Sequence, residues 1–174
     1  MTGLDPLGKA FAFCPRCRDD MTFRFEGGRT RPACGRCGWV QYLNPAPGAG
    51  VVLRRDGHVC LVQRRDPPKQ GQWTLPTGFM EWDEDIEQTA VREALEETGL
   101  EVALRGVHAV HNGVLPPDQP VVVVFYDAEI TGGVMRAGDD AVDVGFFPLD
   151  DLPGPIAFAA HRKVLKALGA DIEV

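Results

Sequence analysis

The feature that most restricts how this chain can fold is a helix obliged to hide its own charges. The run DEDIEQTAVREALEETG from Asp83 to Gly99 has Asp83 as an N-cap residue, acidic Glu84, Asp85 and Glu87 for the first turn, and Gly99 as a stop. At roughly 100° per residue, Glu93 and Glu97 fall in line with Ile86 and Ala90. Both glutamates then lie inside the apolar arc and face a sheet, and Glu96, three residues from Glu93, projects nearby. Like charges placed there repel and lose hydration, a cost that a bound cation offsets. Oxygen donors of this kind suit Mg²⁺ or Mn²⁺. A solvated acidic face would need the opposite helical phase.

Two further residues support that helix. Arg92 lies eight positions after Glu84, about two turns, so it can lean back and pair with Glu84 or the preceding loop. Gly78, without a side chain, lets the backbone approach a metal, with the carbonyl of Thr77 or Gly78 as an extra oxygen donor.

The cysteines mark a second unit. Cys14-Pro-Arg-Cys17 and Cys34-Gly-Arg-Cys37 are separated by sixteen residues, which is zinc-ribbon spacing. Gly35 and Gly38 are expected to supply the knuckle angles, and four thiolates would close a structural Zn²⁺ site with no open position. Two disulfides or four idle thiols are the alternatives, and a reducing compartment disfavours the first. Phe23, Phe25 and the turn Gly27-Gly28 read as a hairpin between the cysteine pairs. Cys60, in an apolar run, reads as a buried unreactive thiol.

These readings divide the chain into a zinc ribbon over residues 1–43 and a larger domain over 44–174, with Tyr42 to Gly48 as connector. In the larger part, Gly50–Arg54 and His58–Gln63 read as strands joined by a hairpin signal at Arg55-Asp56-Gly57. Trp73–Pro76 is a short run before the helix. Strands are expected over 101–111, 120–130 and 144–148, and an amphipathic helix over Ala157–Leu168. The fold class is α/β in the α+β sense, with helices covering a mixed sheet.

Composition narrows the partners. A net charge of -7 and a pI near 5.0 disfavour a surface that neutralises nucleic-acid phosphates. Arginines gather in residues 14–37, whereas 81–101 and 139–151 carry most of the acid, which favours divalent cations and, through them, a phosphate-bearing substrate. No apolar run approaches the roughly 20 residues of a membrane span, and MTGLDPLGKAFAF lacks the pattern of a secretory signal. A cytoplasmic location is the expectation.

With those residues in view, Gly78-x5-Glu84-x7-Arg92-Glu93-Ala94-x-Glu96-Glu97-x-Gly99-Leu100 resembles the sequence box of the Nudix hydrolase family at every fixed position. Trp73-Thr-Leu-Pro-Thr-Gly78 and Phe147-Pro-Leu-Asp-Asp-Leu-Pro153 are also similar to that family. The ribbon followed by Tyr-x-Asn-Pro resembles its zinc-ribbon-containing branch, which includes ADP-ribose, FAD and NADH pyrophosphatases. The resemblance implies a Nudix-type α/β/α sandwich behind a small ribbon. It implies Glu93, Glu96 and Glu97 as catalytic metal ligands, Thr77 as a carbonyl ligand, and Gly78, Glu84, Arg92 and Gly99 as structural support.

A later loop carboxylate would act as general base or extra ligand, with Asp140 preferred over Asp143 and Glu81. The implied reaction is Mg²⁺-dependent hydrolysis of a diphosphate linkage in ADP-ribose or a dinucleotide such as FAD, giving AMP and the phosphorylated remainder. The segment Val107 to Pro117 departs from the Ser-Gln-Pro-Trp-Pro-Phe-Pro-like stretch of NADH pyrophosphatases, which argues against NADH. The family's usual Gly-Gly is Thr77-Gly78 here, and its frequent Gly is Asp83. Alternatives are a nucleoside triphosphate pyrophosphohydrolase, or a non-enzymatic ribbon binding nucleic acid or protein through Arg16, Arg18, Arg29, Arg31 and Arg36. The expected partner is a small nucleotide diphosphate, with no membrane and no nucleic acid, and the ribbon is a candidate homodimer contact. Phe79, Trp82 and Phe125 are expected in the core and His108 and His111 in satisfied strand or loop positions, although each could instead reach a ligand.

Overall fold

The computed structural model describes residues 11–138 and 140–174. The reading of the first ten residues as lacking a signal lies outside them. The chain divides into two compact units, one ending at Asn44 and the other spanning Pro45–Val174.

In the first unit, β1 (Met21–Glu26) and β2 (Arg29–Cys34) form an antiparallel hairpin whose turn residues Gly27 and Gly28 have φ of 58° and 78°. Two matching knuckles bear the cysteines. In each, the first cysteine's carbonyl accepts the N–H four residues on, from Arg18 at 2.8 Å and Gly38 at 3.1 Å. Its own N–H donates to the carbonyl five residues on, of Asp19 at 2.7 Å and Trp39 at 2.8 Å. The left-handed residue is therefore the fourth after the first cysteine: Gly38 at φ 73° and, unexpectedly, Arg18 at φ 62°. Gly35 does not adopt such an angle, so the expectation for it is corrected.

The second unit is a mixed sheet between two helices. Its strands are β3 (Ala46–Arg55), β4 (His58–Arg64), β5 (Trp73–Thr74), β6 (Thr77–Phe79), β7 (Leu100–Leu115), β8 (Gln119–Gly133) and β9 (Ala141–Pro148). The helices are α1 (Ile86–Thr98) and α2 (Ala159–Ala167). The order is β5-β4-β3-β8-β7, with β6 added to β3 and β9 to β4. Among the described strands only the β3–β8 pair is parallel, Gly50 standing beside Phe125. Asp56 and Gly57, at φ 51° and 79°, make the tight turn between β3 and β4 that the Asp-Gly pair signals.

Strand alternation sends neighbouring residues into separate cores. Val51, Leu53, Cys60 and Tyr126 pack with Ala90 and Ala94 of α1, whereas Val52, Leu61 and Phe125 pack with Val164 and Leu165 of α2. Burial of both faces is why these strands read as unbroken apolar runs rather than alternating ones.

Several boundaries differ from the sequence reading. Part of the presumed connector, Ala46 to Gly48, is strand, because it pairs with Val121 to Val123. Strands β7 and β8 run to Leu115 and Gly133, each extending the other's ladder. Trp73–Pro76 carries only the two-residue β5, and α2 occupies Ala159–Ala167. The N-cap of α1 is Asp85, not Asp83: Asp85 and Gln88 form a reciprocal capping box. Glu84 thus precedes the helix. Gly99 is the left-handed C-cap at φ 70°, where a side chain would overlap the Val134 carbonyl.

Candidate active site

Helix α1 directs Glu93 and Glu97 inward, leaving them 8% and 4% exposed. Glu97 Oε2 accepts the Thr77 N–H at 2.8 Å, which fixes β6 against the helix. Burial pushes the Glu97 carboxyl up to about 8, and the nearby charges of Glu93 and Asp140 push the same way. Glu93 is also raised, first by burial and then by Glu96 and Asp140, against the pull of Arg92. Two buried carboxylates with suppressed ionisation form an oxygen donor set that fits a divalent cation, whose charge would reverse the penalty.

Arg92 joins the parts of the site. It grips both oxygens of Glu84, at 2.5 and 2.9 Å, and reaches Glu93 at 2.7 Å, Glu96 at 2.8 Å and the Phe79 carbonyl at 3.0 Å. Glu84 also accepts the Glu81 N–H and the Thr89 hydroxyl. The guanidinium foremost, then the Glu81 amide, holds its carboxyl down at about 2. Glu96 itself is exposed, its carboxylate turned to Arg92, so it does not share the inward position of the other two.

Glycines create the space. A Cβ on Gly78 would overlap the Glu93 carboxylate, so that carboxylate lies on the backbone of β6. Thr77, where the family commonly has glycine, is accommodated because Gly50 opposite has no side chain: a Cβ there would overlap the Thr77 hydroxyl.

A cavity of about 590 Å³ opens beside these groups, lined among others by Gly78, Glu93, Asp140, Arg64, Lys69 and Phe158. Asp140 borders it, and its backbone carbonyl is tied to the Arg65 N–H at 2.7 Å. Asp143 is exposed, bonds the Val144 N–H and does not line the cavity. Glu81 is likewise exposed and outside it. His108 pairs with Asp127 at 3.1 Å, and His111 packs against Phe125. Phe125 is core, but Phe79 and Trp82, expected there too, are 45% and 91% exposed: Phe79 ends the short strand β6 and lines the cavity, and Trp82 sits in the turn before the helix.

Sequence reasoning missed Arg64, Lys69, Phe158 and His161 as cavity residues. Their only signal was the three-residue spacing of Phe158 and His161 at the start of an amphipathic helix.

In the first unit the sulfurs of Cys14, Cys17, Cys34 and Cys37 lie within 4.8 Å of one another, the single such cluster among the described residues. All four are free thiols, with Cys14 and Cys37, and Cys17 and Cys34, 3.5 Å apart, so disulfides are absent from this cluster. Burial raises Cys14, but amides of Cys17 and Arg16 outweigh it and bring the thiol to about 7. The donor set fits a tetrahedral thiophilic ion. Cys60 is fully buried, and desolvation pushes its thiol up to about 12.

The comparisons agree with this geometry. The NUDIX domain matches residues 44–168. An ADP-ribose pyrophosphatase of Methanocaldococcus jannaschii is 35% identical over 128 residues, 72% of this chain and 73% of that protein. An NAD-capped RNA hydrolase NudC of Chromobacterium violaceum is 31% identical over 160 residues, 89% of this chain but 57% of the relative's length. The crystal structure of a NUDIX hydrolase from Nitrosomonas europaea superposes with a TM-score of 0.77 at 31% identity, covering 88% of each chain. This is an α/β/α hydrolase fold with carboxylates gathered at one cavity, and the chain belongs to the Nudix hydrolase family. Among the described residues, no helix is long and apolar enough to cross a membrane.

Proposed function

We propose that this protein hydrolyses the diphosphate linkage of a nucleoside diphosphate derivative, ADP-ribose or a dinucleotide such as FAD, to AMP and the phosphorylated remainder. The observation that carries this reading is the pair Glu93 and Glu97, buried side by side against Gly78 and Thr77, with Glu93 bordering the cavity. In this reading residues 44–174 form the hydrolase domain and residues 1–43 a zinc ribbon.

Glu93 and Glu97 would hold Mg²⁺ or Mn²⁺, with Glu96 and the Thr77 carbonyl as further donors. A cation held there would neutralise the diphosphate and lower the pKa of the attacking water. The chain's own residues do the rest. Arg92 holds Glu93 and Glu96 in place from its anchorage on Glu84. Asp140 bears a carboxylate at the cavity that can take the proton of the attacking water, or add a ligand. Arg64 and Lys69 supply positive charge for the phosphates. The cysteine cluster would hold a structural Zn²⁺ with no catalytic part.

The relatives support two substrate classes. The name of the archaeal relative favours ADP-ribose. Similarity to NudC, which extends over the ribbon, favours NAD-type ends as a second reading, opposed by the departure at Val107 to Pro117. A cytoplasmic location and a ribbon-mediated dimer fit the same reading. The test is a Mg²⁺-dependent panel of ADP-ribose, FAD, NADH, NAD-capped RNA and dNTPs, with products separated chromatographically and Glu97→Gln as control. Cleavage of ADP-ribose or FAD to AMP is expected. No cleavage of any substrate, or a Gln variant equal to wild type, refutes the proposal.

A further inference from the structure

His161, on α2, has two ring nitrogens in different circumstances. Nδ1 accepts the N–H of Leu75 at 3.1 Å, so the proton of the neutral ring resides on Nε2. Burial, reinforced by Arg64 and Arg162, drives its pKa down to about 3 and keeps the ring neutral. Those two cations are otherwise engaged, Arg64 with the Pro68 carbonyl and the face of Phe158, and Arg162 with the Ile156 carbonyl. The ring is wedged between Phe125, edge-on at 5.2 Å and 85°, and Phe158, tilted at 5.7 Å and 47°.

The residue is 4% exposed, yet among the described residues Nε2 has no hydrogen-bond partner, and it is not sealed from solvent. Because His161 lines the 590 Å³ cavity, that cavity is the outlet for its N–H.

We infer that His161 is a specificity-determining residue whose Nε2–H donates to a ring acceptor on the heteroaromatic base of the substrate. The inference rests on the diphosphate-hydrolase reading of the same cavity. A neutral donor framed by two aromatic rings suits a flat, uncharged ring. The charged diphosphate belongs with Glu93 and Asp140 and the cations they attract. A buried donor left unpaired by the wrong base costs binding, and this is how hydrogen-bonding sites discriminate.

The experiment measures calorimetric binding of AMP and of ribose 5-phosphate to wild type, His161→Asn and His161→Gln. Asparagine retains an acceptor for the Leu75 N–H but carries no donor as far out as Nε2. Glutamine carries one. Affinity of His161→Asn for AMP should fall about 10–100-fold. Affinity for ribose 5-phosphate should hold, and His161→Gln should recover part of the AMP loss. Undiminished AMP binding in His161→Asn, an equal loss for both ligands, or no AMP binding by wild type overturns the inference. A wild type that binds AMP, shows this discrimination and cleaves neither ADP-ribose nor FAD upholds the role of His161 while refuting the proposed substrates.

Discussion

The two units of this chain solve the problem of staying folded by opposite means. Among the described residues, the buried apolar side chains of the first unit are Cys14, Pro32, Ala33 and Cys34, while Phe23 and Phe25 are 48% and 74% exposed. The second unit buries both faces of its sheet in two separate cores. A unit with so little core depends on cross-links for its shape, and four convergent sulfurs stand where a bound metal would supply one. The second unit can instead bear two buried carboxylates in its helix, because its cores carry the stability that these charges cost.

The largest effect should follow removal of the metal proposed for the cysteine cluster. Metal binding to such a site contributes ~10–16 kcal/mol. Chelation or Cys17→Ser should collapse the amide dispersion of residues 11–44 in NMR spectra while the hydrolase unit keeps its cooperative melting. Simultaneous unfolding of both would break the contrast. Next, Glu97→Gln should lower kcat by ~10³-fold or more, about 4 kcal/mol, without changing zinc content measured by elemental analysis. Leu53→Ala, fully buried against α1, should cost the hydrolase unit about 2–5 kcal/mol in urea unfolding and leave the ribbon spectra unaltered.

The pH dependence should also belong to the second unit. Folded, His161 stays neutral down to about 3, while in the unfolded chain it protonates near 6.5. Its contribution is complete above pH 6.5 and is lost as pH falls from there toward 3, at up to ~1.4 kcal/mol per pH unit. Glu97, raised to about 8, works in the other direction. The stability difference between wild type and His161→Gln, followed from pH 7 to 4, isolates the histidine and should shrink steadily. The smallest effect is Arg18→Gly, which relieves a left-handed φ of 62° and should raise the ribbon's melting temperature through roughly 0.5–1 kcal/mol. No gain would mean that the knuckle tolerates the arginine without strain.

Legibility differed from residue to residue for physical reasons. The inward phase of Glu93 and Glu97 follows from helical geometry, and so did the reach of Arg92 to Glu84. The cap at Asp85 was missed because Asp83 and Asp85 both qualify as a cap, and only the bond to Gln88 decides between them. Glu96 was legible as a further donor beside the inward pair, but not the turn of its carboxylate to Arg92. The strand start at Ala46 was set by a partner distant in the chain, Val121, which local propensity does not register.

By itself the sequence determined the helix, its buried acid pair, the paired cysteines and the family, because each depends on spacing along one segment. Tertiary structure alone decided that Gly50 makes room for Thr77, that Gly78 receives the Glu93 carboxylate, and that His161 meets Leu75 beside the cavity. Those relations join residues brought together only when the sheet and its two helices close on one another, and contact across elements has no period in the chain that would announce it.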